Sequence, residues 1–478
     1  MRSANIIGSG PNGLAAAITL AQAGVAVTVY ERNSQVGGAC SSAEVTLPGF
    51  IHDLGASALP LAAASPFLRS LPLTDYGLRL IQPEIPLAHP LDDGSAVALT
   101  RNLDGMSSQL TREDFAGWRR FFSPIVDSWQ KLIPDLLGPI LHLPRHPFAL
   151  ARFGIPGILP ATTFAHTFFN DKCTQALFAG CAGHSVMPLT SPLSSAVGIV
   201  LAAAAHSVGW PVAQGGSQSL SDALADHLRS LGGTIHLSHP IDGLTDLPPA
   251  DALFFDTSAQ ALERIAAPRL SSGFRASLRR FQPGPGVFKI DWALSEPIPW
   301  TAEACRIAGT VHVGGTLEEI ARAEAEVFAA RHSDKPFLIL VQPSVTDPTR
   351  APAGCHTAWG YCHVPNGSEL DRTDAIEDQV ARFAPGFRDV ILARRTQTTA
   401  QLESWNPNLV GGDLSGGAMT AKQMLLRPTI RDYGTSDPAI FLCSSSTPPG
   451  GGVHGMCGVH AALQALKQHR STHERDLD

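Results

Sequence analysis

A chain of 478 residues exceeds what one hydrophobic core usually supports, which points to two interleaved or consecutive domains able to bury a deep cofactor. Hydrophobic residues make up 44% and charged ones 16%, so more of the surface than usual is expected to be apolar; a net charge of −7 without clustered Lys and Arg argues against a nucleic-acid surface. Eight scattered cysteines show no C-x-x-C pair and no zinc spacing, so they read as buried free thiols; with no signal peptide they favour a cytoplasmic protein without a metal site.

In chain order, Asn5-Ile6-Ile7 is predicted as a short buried strand, and Gly8-Ser9-Gly10-Pro11-Asn12-Gly13 follows at once as G-x-G-x-x-G. Leu14 to Ala23 has helical length and composition, Gly24 ends it, and Val25 to Tyr30 reads as a second buried strand. Glu31 then stands where an acid accepts hydrogen bonds from both hydroxyls of an adenosine ribose, which argues against a 2′-phosphate. In such a βαβ unit the glycines allow a tight turn, backbone approach to a pyrophosphate and close helix packing, and the helix N-terminus faces the anion.

Arg32 to Val36 lead into Gly37-Gly38-Ala39, and Gly49 to Ser57 follows. These segments resemble the extension beyond the Rossmann unit in FAD-containing amine oxidases and phytoene dehydrogenases. The resemblance implies FAD, with Gly37 and Gly38 beside the pyrophosphate and ribityl chain and Gly55, Ala56 and Ser57 leading to the isoalloxazine. Relatives often carry Lys or Arg after the glycine pair. Here Cys40-Ser41-Ser42-Ala43 stands there, so backbone dipoles carry more of the neutralisation.

From Trp118 to Phe164, Trp118, Phe121, Phe122, Trp129, Leu132, Leu136, Leu137, Leu141 and Phe148 alternate with Arg119, Arg120, Lys131, Arg145 and Arg152. In carotenoid-processing relatives this region is a helical lid touching the bilayer; a cap over an apolar cavity or an oligomer contact suits the same residues. Cys173 to Ser221 holds no charged residue, but Pro188, Pro192 and Pro211 interrupt it, so Ser194 to His206 reads as a buried helix, not a membrane span. Val212 to Ser217 leads a helix with Leu220, Leu224 and Leu228, and Gly232 to Leu237 forms the next strand; by the resemblance, Ile241 meets adenine through its backbone. Gly286 to Trp292 resembles the strand bearing the active-site lysine of amine oxidases, which implies that Lys289 holds a water near flavin N5. Gly314 to Glu319 reads as a turn and a helix capping box, and no second glycine fingerprint follows a strand, so no tightly bound NAD is expected.

Ala439 to Cys443 is a predicted strand, Ser444 to Gly458 is glycine-rich, and Ala461 to Gln468 is a predicted helix. This segment resembles the second flavin-binding motif of phytoene dehydrogenase-like oxidoreductases, which implies that Ser444, Ser445, Gly452, Val453, His454, Gly455 and Met456 line the flavin. Ser444 and Ser445 replace the Gly or acid of relatives. The fold class that follows is α/β. A discontinuous Rossmann-type FAD-binding domain spans residues 1–75, 208–262 and 430–469, an inserted α+β substrate domain with the lid spans 76–207 and 263–429, and a polar tail covers 470–478.

No Ser-His-Asp or paired-carboxylate constellation emerges, so Lys289 and His454 are the catalytic candidates, while His184 and His52 could line a cavity. The resemblance implies hydride transfer from an apolar, isoprenoid-like substrate to flavin N5, as net desaturation with oxygen or quinone as acceptor, or as redox-neutral isomerisation. Amine oxidation on the same scaffold needs an aromatic cage, for which Tyr361 and Trp405 are the nearest candidates. A non-enzymatic lipid escort of the same fold is opposed by the intact turn, Glu31 and the C-terminal glycines. A peripheral membrane contact and a homo-oligomer are both compatible with this composition.

Overall fold

The computed structural model describes residues 1–139 and 142–475; Leu141 of the expected lid and the final three residues of the expected tail lie outside the described residues. Five strands form a parallel sheet in the order Ile440–Leu442, Ala252–Phe255, Ser3–Ile7, Ala26–Tyr30 and Thr234–His236. Its central strands are near-continuous apolar runs, as a sheet covered on both faces requires. Ile6, Val29 and Phe254 pack with the helices Pro11–Gln22, Gln218–Ser230 and Met456–Arg475. Their neighbours Ile7, Tyr30 and Phe255 pack on the other side, against Ala259–Ile265 and Ser272–Arg280. The sheet thus draws strands from the start, the middle and the end of the chain.

A second sheet has seven strands, in the order Ile391–Gln397, Gly286–Leu294, His356–Val364, Leu338–Val341, Ala308–Val313, Ile85–Pro90 and Ala96–Leu99. All neighbours are antiparallel except Ala308–Val313 with Ile85–Pro90. One face carries Ile290, Trp292, Leu338 and Leu340 against Ile376, Val380 and Phe383. The other carries two cross-strand rows, Thr310–Val341–Trp359–Asp291 and His312–Ile339–Tyr361–Lys289, because directly paired residues share a face. The helix Leu317–Phe328 opens with the expected capping box between Thr316 and Glu319.

Helices Arg112–Asp127, Trp129–Leu136, Pro147–Gly157, Ala161–Phe168, Lys172–Gly183 and Ser194–Ser207 pack beside these sheets. Trp118, Phe122 and Trp129 of the segment expected to form a lid or cap are core residues at 0–2% exposure. Their roughly helical spacing makes one buried stripe, and Trp118 Nε1 donates to His206 Nε2 at 3.0 Å. Exposed apolar residues in this region are instead Leu143, Phe148, Ile155 and Ile158. Among the described residues no single helix is long and apolar enough to cross a membrane; Ser194–Ser207 is an apolar helix of 14 residues whose side chains are mostly buried. The last helix starts at Met456 and continues to Arg475, past the expected tail boundary, because no Gly or Pro after Gly458 stops it. All eight cysteines are free, six of them buried.

Candidate cofactor and substrate site

The first strand delivers the chain into the glycine turn, and Gly10 caps the helix Pro11–Gln22 without any side-chain hydrogen bond. Among the described residues Asn12 N at this helix start has no protein acceptor and is open to a bound anion, while Pro11 carries no amide hydrogen. Glu31 is 5% exposed. Its Oε2 accepts from Ser9 N at 2.9 Å and Ser9 Oγ at 2.7 Å, and its Oε1 accepts from Asn33 N at 2.9 Å. These donors orient the carboxylate at the wall of the cavity described below.

Sequence reasoning missed Asp256. The Ala252–Phe255 strand pairs with the first strand and sets Asp256 against the turn, where Gly13 N donates to Oδ2 at 2.9 Å. A Cβ at Gly10 would stand 2.5 Å from that same oxygen, so this glycine is required by Asp256 as well as by any pyrophosphate. Burial pushes the Asp256 carboxyl up to about 7; the Gly13 amide opposes the rise and the Glu31 charge adds to it. The buried apolar strand ending in an acid was the available signal.

A raised folded-state carboxyl costs stability once it ionises. The contribution is intact below the unfolded pKa near 4 and is lost as pH climbs through about 7. Thermal unfolding of cofactor-free protein should therefore fall between those limits, and Asp256→Asn should flatten the profile and raise Tm at pH 8. An unchanged profile in the variant would remove Asp256 from the account.

A cavity of about 1060 Å³ opens from the turn. Gly8, Gly10, Pro11, Asn12, Glu31 and Arg32 line it at one end, with Ile241 nearby. Gly38, Ala39, Gly55, Ala56 and Ser57 continue the wall, followed by Ser444, Ser445, Gly452, Val453 and His454. Gly13, Gly37, Gly455 and Met456 lie behind it, outside the lining: Gly37 N donates to Ser9 O at 3.0 Å, tying the two glycine segments together. Ser57 donates to Asp53, which pairs with Arg350 at 3.0 Å. Burial alone would raise the Asp53 pKa, but Arg350 and the donors Ser217, Ser57 and Ser42 hold it below the usual carboxylate range.

His454 is 1% exposed, and burial lowers its pKa to about 4. Met456 N donates to its Nδ1 at 3.0 Å, which assigns the ring proton to Nε2, a buried donor without a hydrogen-bond partner among the described residues. Lys289 is placed differently from its expected role. It is 3% exposed, ion-paired with Asp291, 4.7 Å from the centroid of the Trp359 ring, and absent from the cavity wall. Burial lowers its pKa, with Asp291 opposing. His52 also lies off the wall, with Nδ1 3.7 Å from Asp291, and burial lowers its pKa to about 4.

The other end of the cavity is largely apolar. Ile339, Val341, Trp359 and Tyr361 come from the second sheet, Val197, Val200 and Leu201 from the Ser194–Ser207 helix, and Leu150 and Phe153 from Pro147–Gly157. Tyr361 is joined there by Trp359, with ring centroids 5.9 Å apart and planes at 18°, whereas Trp405 packs off the wall near Leu402 and Leu409. His184 is on the wall. The residues at the glycine end suit a dinucleotide: an oriented acid for ribose, the open Asn12 amide at the helix N-terminus for pyrophosphate, and an imidazole N–H further along with no partner among the described residues.

The family model for an NAD(P)-binding Rossmann-like domain matches residues 6–71. Pyridine nucleotide-disulfide oxidoreductase domain-containing protein 2 of Mus musculus is 26% identical over 96% of this chain and 92% of its own. The lycopene-forming phytoene desaturase of Pseudescherichia vulneris is 24% identical over 98% of this chain and 99% of its own. Among solved structures, wild-type putrescine oxidase bound to putrescine superposes with a TM-score of 0.63 at 18% identity, covering 98% of this chain and 99% of its own, which shows a shared fold.

Proposed function

We propose that this chain, a phytoene-dehydrogenase-like oxidoreductase, holds FAD at the glycine-lined end of its cavity and oxidises an apolar substrate bound at the other end. The observation that carries the reading is one cavity reaching from Gly10 and Glu31 to Ile339, Val341 and Trp359. A flavin bound there supplies the acceptor for a hydrogen and its electron pair from a substrate carbon. Glu31 would accept from the ribose, the helix N-terminus with its open Asn12 amide would face the pyrophosphate, and His454 Nε2–H would donate to the flavin edge or to substrate. The aromatic and aliphatic wall holds the reacting carbon away from water. Net dehydrogenation, with oxygen or a quinone as final acceptor, and redox-neutral isomerisation of a polyene both fit this arrangement.

The purified protein should be yellow and should release FAD on denaturation. A colourless protein with no releasable FAD would sink the reading and favour a lipid escort. Oxidation of an amine is a second reading, favoured by the stacked Trp359–Tyr361 pair on the wall. Anaerobic bleaching of the flavin by an isoprenoid polyene but not by an alkylamine separates the two.

The Pro147–Gly157 helix puts Leu150 and Phe153 on the cavity wall and exposes Phe148 and Ile155, which are 91% and 72% accessible, with Arg145 and Arg152 close in sequence. This combination supports peripheral contact with an anionic bilayer, from which an apolar substrate enters the cavity. The wild-type protein should float with anionic liposomes, and Phe148→Glu with Ile155→Glu should abolish flotation without changing FAD content. A wild-type protein that stays in the dense fraction overturns the membrane contact.

A further inference from the structure

Beyond the apolar residues, the substrate end of the cavity includes a wall whose hydrogen-bonding groups are left without protein partners. The helix Lys172–Gly183 ends at His184, and His184, Ser185, Trp210 and Tyr361 all reach the cavity. His184 Nε2 lies 2.9 Å from His312 Nε2, and Trp210 Nε1 donates to Thr310 Oγ1 at 2.9 Å, so the ring positions are fixed from behind. Tyr361 is held between Trp359 and His363, whose ring centroids lie 5.9 and 5.7 Å away. His363 Nδ1 is in turn 2.8 Å from Glu324 Oε2.

Three groups retain unused capacity. Ser185 is 2% exposed, and its buried Oγ has no partner among the described residues. Among the described residues, no protein group engages the Tyr361 hydroxyl or the His184 Nδ1. Burial lowers the His184 pKa to about 3 and pushes the Tyr361 phenol up, so both are neutral near pH 7. A hydrocarbon filling this space would leave three polar groups dry and unpaired, a penalty that a ligand oxygen removes. Neither a carboxylate nor an ammonium finds an opposite charge among His184, Ser185 and Tyr361.

We propose that Ser185, Tyr361 and His184 recognise a neutral oxygen function, hydroxyl or carbonyl, carried by an otherwise apolar substrate. This rests on the apolar-substrate reading above and narrows it to oxygenated chains. The holoprotein is titrated with farnesol, farnesal, farnesylamine and the hydrocarbon farnesane, each displacing an apolar fluorescent dye. Farnesol and farnesal should bind about tenfold or more tighter than farnesane. Tyr361→Phe and Ser185→Ala should each shrink that preference while leaving farnesane affinity unchanged. Ser185→Ala removes one buried atom, so the test stands even where a larger substitution fails to fold. Equal affinity for farnesol and farnesane, a preference that survives both substitutions, or tighter binding of farnesylamine overturns the proposal. Displacement by none of the four overturns the apolar-substrate reading itself.

Discussion

Gly10→Glu should yield a folded protein that retains no FAD. On the protein side of the turn, even a bare Cβ at position 10 would approach Asp256 Oδ2 to 2.5 Å. A glutamate adds a further negative charge beside Asp256, already raised to about 7 by burial and the Glu31 charge, and fills the approach to the helix amides. The introduced carboxylate repels a pyrophosphate. Absorbance of the purified variant and assay of FAD after denaturation measure the loss, and circular dichroism verifies the fold. A variant loaded with FAD like the wild type would refute the placement of the cofactor.

Lys289→Met should cost about 3–5 kcal/mol of stability, because it strands a buried carboxylate. Asp291 is 0% exposed, its Oδ2 has no hydrogen-bond partner among the described residues, His52 lies 3.7 Å away with its pKa lowered to about 4, and Arg395 stands opposite it on the neighbouring strand without an ion pair to it. Lys289→Met with Asp291→Leu should recover most of the loss, since an apolar pair of similar volume carries no unpaired charge. Denaturant titration reads both variants. Stopped-flow kinetics complete the test: a stable Lys289→Met protein with slowed flavin reoxidation would restore the lysine to a redox role, whereas a destabilised one with ordinary kinetics leaves it structural.

The N-terminal unit is legible because all its cues are local. Strand, turn, helix, second strand and Glu31 lie within the first 31 residues, and each cue is a property of chain order. The Thr316–Glu319 capping box is legible for the same reason, at a spacing of three residues. Asp256 is not, since its bond to Gly13 N spans 243 positions and exists only once two parallel strands align. Lys289 is hidden for another reason. All nine residues of its strand are buried, so no polar–apolar alternation says which side chains face the cavity and which meet Asp291. The Trp118 segment misleads because aromatic and cationic residues read alike on an amphipathic core helix and on an interfacial one; only tertiary packing against Phe164, Phe169 and His206 decides.

The parallel sheet cannot be completed until its edge strand, Ile440–Leu442, has been synthesised, and the helix that follows packs Gly458 so tightly on Asn12 that a Cβ would sit 1.8 Å from the carbonyl oxygen. At roughly 5–20 residues per second, the ribosome holds the glycine turn for about 20–90 s before that partner exists. From the synthesis of Phe254 until that of Phe441, the face of Phe254 that stacks on Phe441 has no partner. A chain that stops just before the last helix is long and nearly complete yet lacks the helix that closes on the glycine turn.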